Sequence, residues 1–508
     1  MSIFNSFRIP KFHLGDPLSL RLVIPTVLIF TITLLKAYLH SYAQTTIPCF
    51  AYSWLPFYHT LLFGSSHKKF LTLGFRHHGS IFQFYLALNK FYATNDINLI
   101  AKISQDNNSF SSEVVVNPLF HNVFRPTNVI NYSDFNMNIN FHKTFVKFLG
   151  HKFLPKLNYY FVHFFKRFVL ENISLSWKVI NVNEWSGQIA HSVGLRTLLG
   201  DYDDRLELLH TKSKYFLDTI DILAALNPPD IFVSKARKYQ QEIANYLSSS
   251  IPKSKQSELA IELSKEEHVD SKCGMMVTLF SSYVNFSSAM FWILYFLLRD
   301  QKAMKEIQDE VYQVLLQEEN WDVTTEKTSP KLCYSTLEKL VKLKSYAKDV
   351  IRINSSALLL RQAIKDTTIT LSDGRSFEIK KGDNILGAHV HHDEDFFPDP
   401  YTPKVDRLIK NAVFYDKNHK EIKPPISSFG RGKYQCPGQN FAYTEISIVV
   451  AWIFAVCDIE LLYPDAPMLP SYYKPHLGCV PLDPRFIRDE RLNARIRIRS
   501  QFAEMIVV

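Results

Sequence analysis

The sequence predicts a mainly α-helical protein with a small β portion. Apolar residues recur at helical spacing along most of residues 98–345, with long amphipathic segments around 140–170, 185–200, 205–225, 230–250, 272–298 and 300–318. Two shorter regions carry strand patterns: residues 80–86 alternate apolar and polar side chains, and residues 365–385 hold two β-type runs around Asp373-Gly374. No repeat or low-complexity linker divides the body of the chain.

The elements outside the long helices follow from local signals. Residues 41–70, which include Pro48 and Pro56, are predicted to form a hinge-like stretch. Residues 91–97 are the predicted hairpin partner of the strand over residues 80–86. The charged residues 256–270 predict a loop with a helical turn. Asp373-Gly374 predicts a tight hairpin turn, because this pair tolerates the left-handed backbone that such turns require.

An apolar run near the N-terminus, residues 22–35, carries no charge and is flanked by Arg21 and Lys36. Its 14 residues fall short of the ~20 that span a bilayer, but the flanking basic side chains can extend toward the interface. A membrane anchor, a cleaved signal peptide and a buried helix all fit this run. We favour the anchor, because the run starts late for a signal peptide.

Composition narrows the classes of partner. The net charge of +9 is modest for 508 residues, and no dense basic run with interleaved aromatics occurs, so nucleic acid is a poor candidate. The mild basic excess suits an anionic membrane surface or an acidic protein. The 6 cysteines form no C-x-x-C pair, which argues against a zinc knuckle or a thioredoxin-like motif. A reducing compartment is the default for the bulk of the chain.

The most informative segment is residues 429–438, F-G-R-G-K-Y-Q-C-P-G, which runs into a predicted helix. Cys436 therefore lies on a glycine-rich loop at a helix N-terminus, where free N–H groups and the helix dipole favour a thiolate. A thiolate is a good ligand for a soft or borderline metal. The glycines allow the close backbone approach that a flat cofactor needs. A structural cysteine in a tight turn is the alternative reading.

The spacing F-x-x-G-x-x-x-C-x-G is matched at all four fixed positions, and it resembles the heme-binding loop of the cytochrome P450 family. The resemblance implies the cytochrome P450 fold. It also implies a heme b (iron-protoporphyrin IX) cofactor with Cys436 as the axial thiolate ligand, and cofactor contacts from Phe429 and Gly430.

A second part of the resemblance lies upstream, where Asp349-Val350-Ile351-Arg352 matches the E-x-x-R of the family. A carboxylate and a guanidinium at i and i+3 share one helix face. In the family this pair meets a later arginine, and Arg407 is the matching residue here. The acid is Asp rather than Glu, one methylene shorter. By itself, D-x-x-R more often marks an exposed salt bridge.

Other positions of the resemblance imply contacts with the heme propionates. Arg361 matches an arginine that binds a propionate, and a guanidinium suits that carboxylate. His391 matches a heme-side histidine. The arginine that often precedes the cysteine by two residues is Tyr434 here, and His142 or Lys143 replaces a missing tryptophan/arginine pair.

The oxygen-side helix of the family matches residues 279–288. Counting back from Phe291-Trp292, the usual threonine is Asn285 and the usual acid is Val284. Asparagine can donate and accept a hydrogen bond but cannot titrate. Proton delivery would therefore need water, a nearby serine or the substrate.

The resemblance covers roughly residues 50–500 and is strongest to the branch that holds cholesterol 7α-hydroxylase, sterol 12α-hydroxylase and prostacyclin synthase. It implies an N-terminal membrane anchor and hinge over residues 1–45 and a catalytic domain over residues 46–508. The anchor would lie in the endoplasmic reticulum, with the catalytic domain in the cytosol.

The same resemblance implies a monooxygenase that hydroxylates a lipophilic substrate such as a sterol, a terpenoid or another secondary metabolite. Electrons would come from NADPH-cytochrome P450 reductase, and the oxidant would be O2. Two alternatives stay open. One is a heme-thiolate isomerase or rearrangement enzyme that acts on a peroxide or another oxidised substrate without O2. The other is a binding protein that keeps the heme but has lost turnover.

Overall fold

The computed structural model describes residues 47–50, 58–86, 89–112, 121–125, 142–202, 206–220, 223, 228–249, 251–265, 271–355, 358–388, 391–409, 412–415, 419–423, 426–432, 435–467 and 490–505. The chain divides into two compact units. The smaller comprises Met1–Leu99 and Ala363–Gly387, and the larger comprises Ile100–Gln362 and Ala388–Val508. The apolar run at residues 22–35 lies outside the described residues, as do Tyr434 and Cys479.

The helices of the described residues, in chain order, are α1 Tyr58–His78, α2 Ile97–Gln105, α3 Lys143–Leu149, α4 Leu154–Asn172, α5 Val182–Ile189, α6 Leu195–Leu199, α7 Leu206–Asp218, α8 Asp230–Ser249, α9 Glu258–Lys265, α10 Ser271–Phe280, α11 Phe286–Arg299, α12 Gln301–Glu319, α13 Tyr334–Glu338, α14 Val341–Asn354 and α15 Gln439–Val456. One π turn, Ala190–Gly194, joins α5 to α6, and another, Ser281–Asn285, joins α10 to α11.

The strands are β1 Ile81–Leu86, β2 Asn89–Thr94, β3 Phe110–Ser111, β4 Lys178–Asn181, β5 Leu358–Ala363, β6 Thr367–Thr370, β7 Ser376–Ile379, β8 Asn384–Ala388, β9 Phe414–Tyr415, β10 Glu421–Ile422, β11 Cys457–Leu461 and β12 Asn493–Ile498. The predicted fold class, mainly α with a small β portion, is confirmed. Each amphipathic segment named above contains a helix.

The smaller unit contains both predicted hairpins. Strands β1 and β2 pair antiparallel, with Ile81 opposite Thr94. Strand β2 also pairs in parallel with β8, with Phe91 opposite Asn384. Strands β6 and β7 flank the turn at Gly374, whose φ of 88° lies in the left-handed region. Glycine adopts that region without the steric cost of a Cβ atom.

The prediction of a hinge-like stretch over residues 41–70 is wrong at its C-terminal end, because α1 begins at Tyr58. The glycine and serines near residue 65 favour a loop by local propensity. The helix is held instead by aromatic packing against β1. The rings of Phe63 and Phe70 lie 5.8 and 5.2 Å from the ring of Phe84. Tertiary packing of this kind overrides weak helix propensity.

Residues 256–270 also differ from their prediction, since α9 covers Glu258–Lys265 as a regular helix rather than a single turn. Leu259, Ala260 and Leu263 are buried on one face. A three-stranded antiparallel sheet in the order β11-β12-β4 was not predicted either. Its strand β4 has only four residues, too few for a clear alternation pattern.

The core of the larger unit is built around α11 and α15. Helix α11 packs against α5 and α14, and α15 packs against α4, α12 and α14. Within the described residues, the continuous helical segment Ser271–Arg299 and helix α15 are long and apolar enough to cross a membrane. However, 67% and 78% of their apolar windows are buried inside the protein, so we interpret both as core helices.

One carboxylate from α12, that of Glu310, binds the start of the helix that carries Asp349 and Arg352. The Glu310 carboxylate accepts hydrogen bonds from the backbone N–H groups of Lys342 at 2.7 Å and Leu343 at 2.9 Å, in the first turn of α14. These N–H groups have no partner within their own helix. A negative charge at a helix N-terminus is also favoured by the helix dipole. Glu310 therefore sets the position of α14.

We expect Glu310→Gln to lower the free energy of unfolding by about 1–3 kcal/mol, because two charge-assisted hydrogen bonds to α14 are weakened. Chemical denaturation measures this change. Glu306→Gln is the matched control, because the Glu306 carboxylate lies 3.8 Å from the exposed Lys342 ammonium. Exposed pairs of that kind contribute little. Equal losses in the two variants would contradict the role of Glu310.

Candidate functional site

The loop before α15 is tightly folded around Cys436. The backbone N–H of Cys436 donates to the carbonyl oxygen of Phe429 at 2.8 Å, which closes the loop. Gly430 and Gly432 have φ values of 74° and 72°, a conformation that favours glycine. A Cβ atom on Gly432 would lie 2.0 Å from the carbonyl oxygen of Ser104. The glycines therefore permit both the turn and its close backbone packing.

Cys436 is exposed as a residue, but its thiol is largely surrounded by protein. The residue is exposed by surface area, yet burial is the largest cause that raises the pKa of its thiol. Both observations hold when the sulfur faces an interior space walled by protein. Hydrogen bonds from the backbone N–H groups of Gly438 and Gln439 lower the pKa but do not outweigh burial. A thiolate here therefore needs a cationic partner, such as a metal ion, in the same site.

Aromatic side chains support the loop from behind. The half-buried Phe429 ring lies 5.2 Å from the ring of Tyr443 on α15. Burial raises the pKa of the Tyr443 hydroxyl, while a hydrogen bond with the Gln439 side chain acts in the other direction. The Lys348 ammonium lies 5.8 Å from the Tyr443 ring. Phe429 is thus held by packing to the helix that follows the cysteine.

Two of the side chains predicted to bind cofactor carboxylates lie next to this loop. The buried Arg361 guanidinium donates to the carbonyl oxygen of Arg431 at 3.4 Å. Arg431 lies in the loop, five residues before Cys436. The His142 Nε2 atom lies 3.4 Å from the carbonyl oxygen of Gln435. Lys143, the first residue of α3, is exposed.

His391 has a different arrangement from the predicted direct cofactor contact. Its Nε2 atom accepts the backbone N–H of Ser427 at 3.0 Å. Its Nδ1 atom lies 3.1 Å from the Ser355 hydroxyl. With 1% of its surface exposed and both ring nitrogens bonded within the protein, His391 supports the start of the loop.

Asp349, Arg352 and Arg407 come together in the buried core beside His391. Arg352 Nε donates to Asp349 Oδ1 at 2.7 Å, and neither side chain is exposed. Arg407 Nη1 lies 3.5 Å from Asp349 Oδ2, so the shorter acid reaches both guanidinium groups. Arg352 Nη1 also donates to the carbonyl oxygen of His391. Burial lowers the pKa of Arg352, and the Asp349 charge acts against that shift.

The oxygen-side helix is distorted at the two positions, Val284 and Asn285, that the sequence analysis matched to the usual acid and threonine. The π turn Ser281–Asn285 ends at Asn285. The Ser281 and Asn285 side chains are exposed and four residues apart, and Val284 is half-buried. Side chains at this spacing lie on one face of a helix. Single π turns within α-helices occur frequently at functional sites.

One aromatic residue of α4 links this helix to the cysteine helix. The Phe161 ring packs edge-on against Phe286 at 6.0 Å and against Phe441 at 6.4 Å. Phe286 directly follows Asn285, and Phe441 lies five residues after Cys436. The tertiary structure therefore brings the two predicted parts of the site against a common neighbour.

Glu445 is a candidate functional residue that the sequence analysis missed. It is 4% exposed, and its Oε1 atom has no hydrogen-bond partner among the residues that the structure describes. A Cβ atom on Gly194 would lie 3.2 Å from this oxygen and 2.9 Å from the Ser282 hydroxyl of the π turn. Burial raises the pKa of Glu445 well above its usual value, because the charged form loses its hydration, and this favours the neutral carboxyl group. The available signal was its charge, unique within the apolar helix α15.

We expect the stability of the protein to fall as the pH rises above the usual carboxyl value, because folded Glu445 retains a proton that the unfolded chain releases. Glu445→Gln should remove a slope of up to about 1.4 kcal/mol per pH unit from the free energy of unfolding. The variant should therefore gain stability relative to the natural protein at pH 8 but not at pH 4.5. Denaturation at several pH values measures this difference, with the exposed Glu421→Gln as control. A parallel pH dependence in both proteins would contradict the assignment.

Together, the described residues fit a flat, anionic, metal-containing cofactor. Cys436 is an exposed residue with a soft ligand atom. The glycines allow a cofactor to approach the loop backbone closely, and Arg361 lies beside the loop. The family model described as Cytochrome P450 matches residues 230–483, which is half of the chain. A heme with an axial cysteine thiolate is the cofactor that this family implies.

Curated relatives match in the branch predicted from the sequence. The 25-hydroxycholesterol 7-alpha-hydroxylase of Rattus norvegicus is 30% identical over 193 residues, 36% of this chain and 45% of that protein. The 5-beta-cholestane-3-alpha,7-alpha-diol 12-alpha-hydroxylase of Sus scrofa is 31% identical over 200 residues, 38% and 39% of the two chains. Prostacyclin synthase of Bos taurus is 26% identical over 212 residues, which cover 40% of this chain and 41% of that protein. The matched segments span less than half the length of these relatives.

The fold matches a solved structure over most of its length. Retinoic acid bound cyanobacterial CYP120A1 superposes with a TM-score of 0.66 and 16% identity, covering 90% of this chain and 100% of that chain. At this identity the likeness establishes the fold alone. Together with the family match, it confirms the predicted fold and family: the chain belongs to the cytochrome P450 family.

Proposed function

We propose that this protein is a membrane-associated heme-thiolate monooxygenase that hydroxylates a lipophilic substrate, with sterols as the first class to test. The observation that carries the proposal is Cys436 itself, an exposed residue on a glycine-shaped loop whose thiol is bonded to backbone N–H groups of Gly438 and Gln439. Sterol names among the matching relatives favour the substrate class.

In this proposal Cys436 holds the heme iron. When bound, the heme supplies O2 chemistry, and its thiolate ligand favours O–O cleavage. Arg361 and His142 are the residues we assign to the propionates, because each approaches the loop within 3.4 Å. Phe429 and Gly430 shape the face of the loop against the cofactor.

Proton supply in this proposal depends on groups other than Asn285. The Asn285 amide orients water or substrate by hydrogen bonding, since it cannot titrate. The raised pKa of Glu445 favours a protonated carboxyl group. Its Oε1 atom and the Ser282 hydroxyl of the π turn both lie against Gly194. We propose that Glu445 takes over the proton-donating role of the acid that Val284 replaces.

The surface supports contact with a membrane and with an acidic redox partner. At the start of α8, the side chains of Ile231 and Phe232 are 80% and 79% exposed, which suits insertion among lipid chains. The exposed Lys143 directly follows His142, whose ring contacts the cysteine loop, so a basic side chain is available near the loop. We propose that NADPH-cytochrome P450 reductase binds at this surface. We place the protein on the endoplasmic reticulum membrane.

To test the proposal, the protein is expressed with a cytochrome P450 reductase and its reduced carbon monoxide difference spectrum is recorded. We expect the thiolate-type spectrum in the natural protein and its loss in Cys436→Ser, because a hydroxyl group is a poor iron ligand. Cys333→Ser, which changes an exposed cysteine, is the control. A sterol panel then tests for one product formed per O2 and NADPH consumed.

Two results would overturn the proposal. Retention of the thiolate-type spectrum in Cys436→Ser would remove the assigned ligand. Turnover of a peroxide substrate without O2 or NADPH, and without any hydroxylated product, would identify an isomerase instead.

We expect Asn285→Ala to keep the carbon monoxide spectrum but to lower kcat about tenfold, through the loss of hydrogen bonds made by the amide. Ser264→Ala is the control, because its hydroxyl bonds the Ala260 carbonyl on α9, outside the site. Steady-state kinetics with the best sterol measures the change. An unchanged kcat would show that Asn285 takes no part in the reaction.

A further inference from the structure

A cluster of polar side chains lies on the side of the π turn opposite Asn285. We name it the Tyr283 cluster, and it comprises His191, His210, Ser213 and Tyr283. The Tyr283 hydroxyl lies 3.1 Å from His210 Nε2, and the Ser213 hydroxyl lies 3.4 Å from His191 Nε2. The two imidazole rings are 5.3 Å apart between centroids. His191 and Ser213 are 2% and 0% exposed.

The cluster joins three elements that are distant in sequence. His191 belongs to the π turn Ala190–Gly194, Tyr283 belongs to the π turn Ser281–Asn285, and the other two members lie on α7. The two π turns also contact each other, because the Ser282 hydroxyl donates to the carbonyl oxygen of Ala190 at 3.4 Å. The cluster therefore fixes α7 to both turns at once.

Two glycines make this close approach possible. A Cβ atom on Gly187 would lie 3.2 Å from the Tyr283 hydroxyl and 3.6 Å from His210 Nε2. A Cβ atom on Gly194 would lie 2.9 Å from the Ser282 hydroxyl. A side chain at either glycine would therefore press on the Tyr283 or the Ser282 hydroxyl, and that hydroxyl would have to shift.

The cluster is uncharged near neutral pH. Burial lowers the pKa of His210 to about 4 and lowers that of His191 well below its usual value. Burial also raises the pKa of the Tyr283 hydroxyl. A neutral imidazole carries one N–H, so the Tyr283 hydroxyl and His210 Nε2 share a single hydrogen bond that either atom can donate.

Helix α7 is anchored on its other side to α8. The Tyr215 and Tyr239 rings lie 5.4 Å apart, and the Lys212 ammonium lies 2.7 Å from the Glu242 carboxylate. The His210–Tyr283 hydrogen bond therefore connects the π turn to a helix pair rather than to a single helix.

The position of Asn285 depends on contacts of this kind. A π turn is rare and less favourable than regular α-helix, so its geometry persists where side-chain contacts support it. Residues two apart in a helix lie on nearly opposite faces. Tyr283 thus holds the turn from the inside while the exposed Asn285 faces the other way.

We propose that Tyr283 is a positioning residue for Asn285, and that its hydrogen bond to His210 ties the reactive side of the π turn to α7. What Asn285 does once positioned rests on the proposed function. The mechanical link between α7 and the π turn rests only on the geometry above.

The test measures backbone amide hydrogen exchange in residues 279–287 of the purified, heme-loaded full-length protein. Tyr283→Phe keeps the ring and removes the hydroxyl, and His210→Leu removes its hydrogen-bond partner. We expect each to speed exchange about fivefold, the effect of one lost, partly buried hydrogen bond, with no further gain in the double variant. His210→Gln, whose amide can both donate and accept a hydrogen bond, should restore slow exchange. Tyr215→Phe is the matched control on the opposite side of α7.

A second measurement separates positioning from a general loss of structure. With the best sterol, product formed per NADPH consumed should fall about fivefold in Tyr283→Phe, while the dissociation constant of imidazole, measured by its spectral shift, changes less than twofold.

Natural-rate exchange in Tyr283→Phe would overturn the proposal, and so would multiplicative effects in the double variant. If Tyr283→Phe fails to fold, the same comparison between His210→Leu and His210→Gln decides. If the natural protein forms no product at all, the proposed function fails, and the exchange rates alone still decide whether the link exists.

Discussion

The buried ion pair between Asp349 and Arg352 is the constraint on which the cysteine loop depends. Arg352 donates to Asp349 at 2.7 Å and also holds the carbonyl oxygen of His391. His391 in turn accepts the backbone N–H of Ser427, at the start of the loop. Because neither charge can reach water, loss of one partner would leave the other unpaired in the core, at a cost of about 3–5 kcal/mol. The pair thus acts less as a source of stability than as a fixed point from which the loop is built.

The opposite side of the site is built by close packing rather than by charge. Two π turns meet where Gly187 and Gly194 leave room for Tyr283 and Ser282, and Phe161 spans from this helix to the cysteine helix. Burial works against charge here, since it raises the pKa of Glu445 and lowers that of His191. A buried hydrogen bond in surroundings of this kind is electrostatically stronger than the same bond in water.

Local signals predicted the parts of the fold whose causes are local. Asp373-Gly374 specified a hairpin turn, and helical periodicity specified the long helices of the larger unit. The same reasoning failed at α1, where packing of Phe63 and Phe70 on Phe84 stabilises a helix in a segment rich in loop-forming residues. It also missed β4, because a four-residue strand gains its stability from its partner β12 and not from its own pattern.

By itself, the sequence determined the family, the axial cysteine candidate and the atypical Asn285, because each is carried by residue identity at fixed spacing along the chain. Only the tertiary structure decided which side chains meet. It showed that the shorter Asp349 reaches both arginines, that His391 supports the loop, and that Glu445 and the Tyr283 cluster lie against the oxygen-side helix. The physical reason is that burial and hydrogen bonding depend on neighbours brought from distant segments, which no spacing within one segment records.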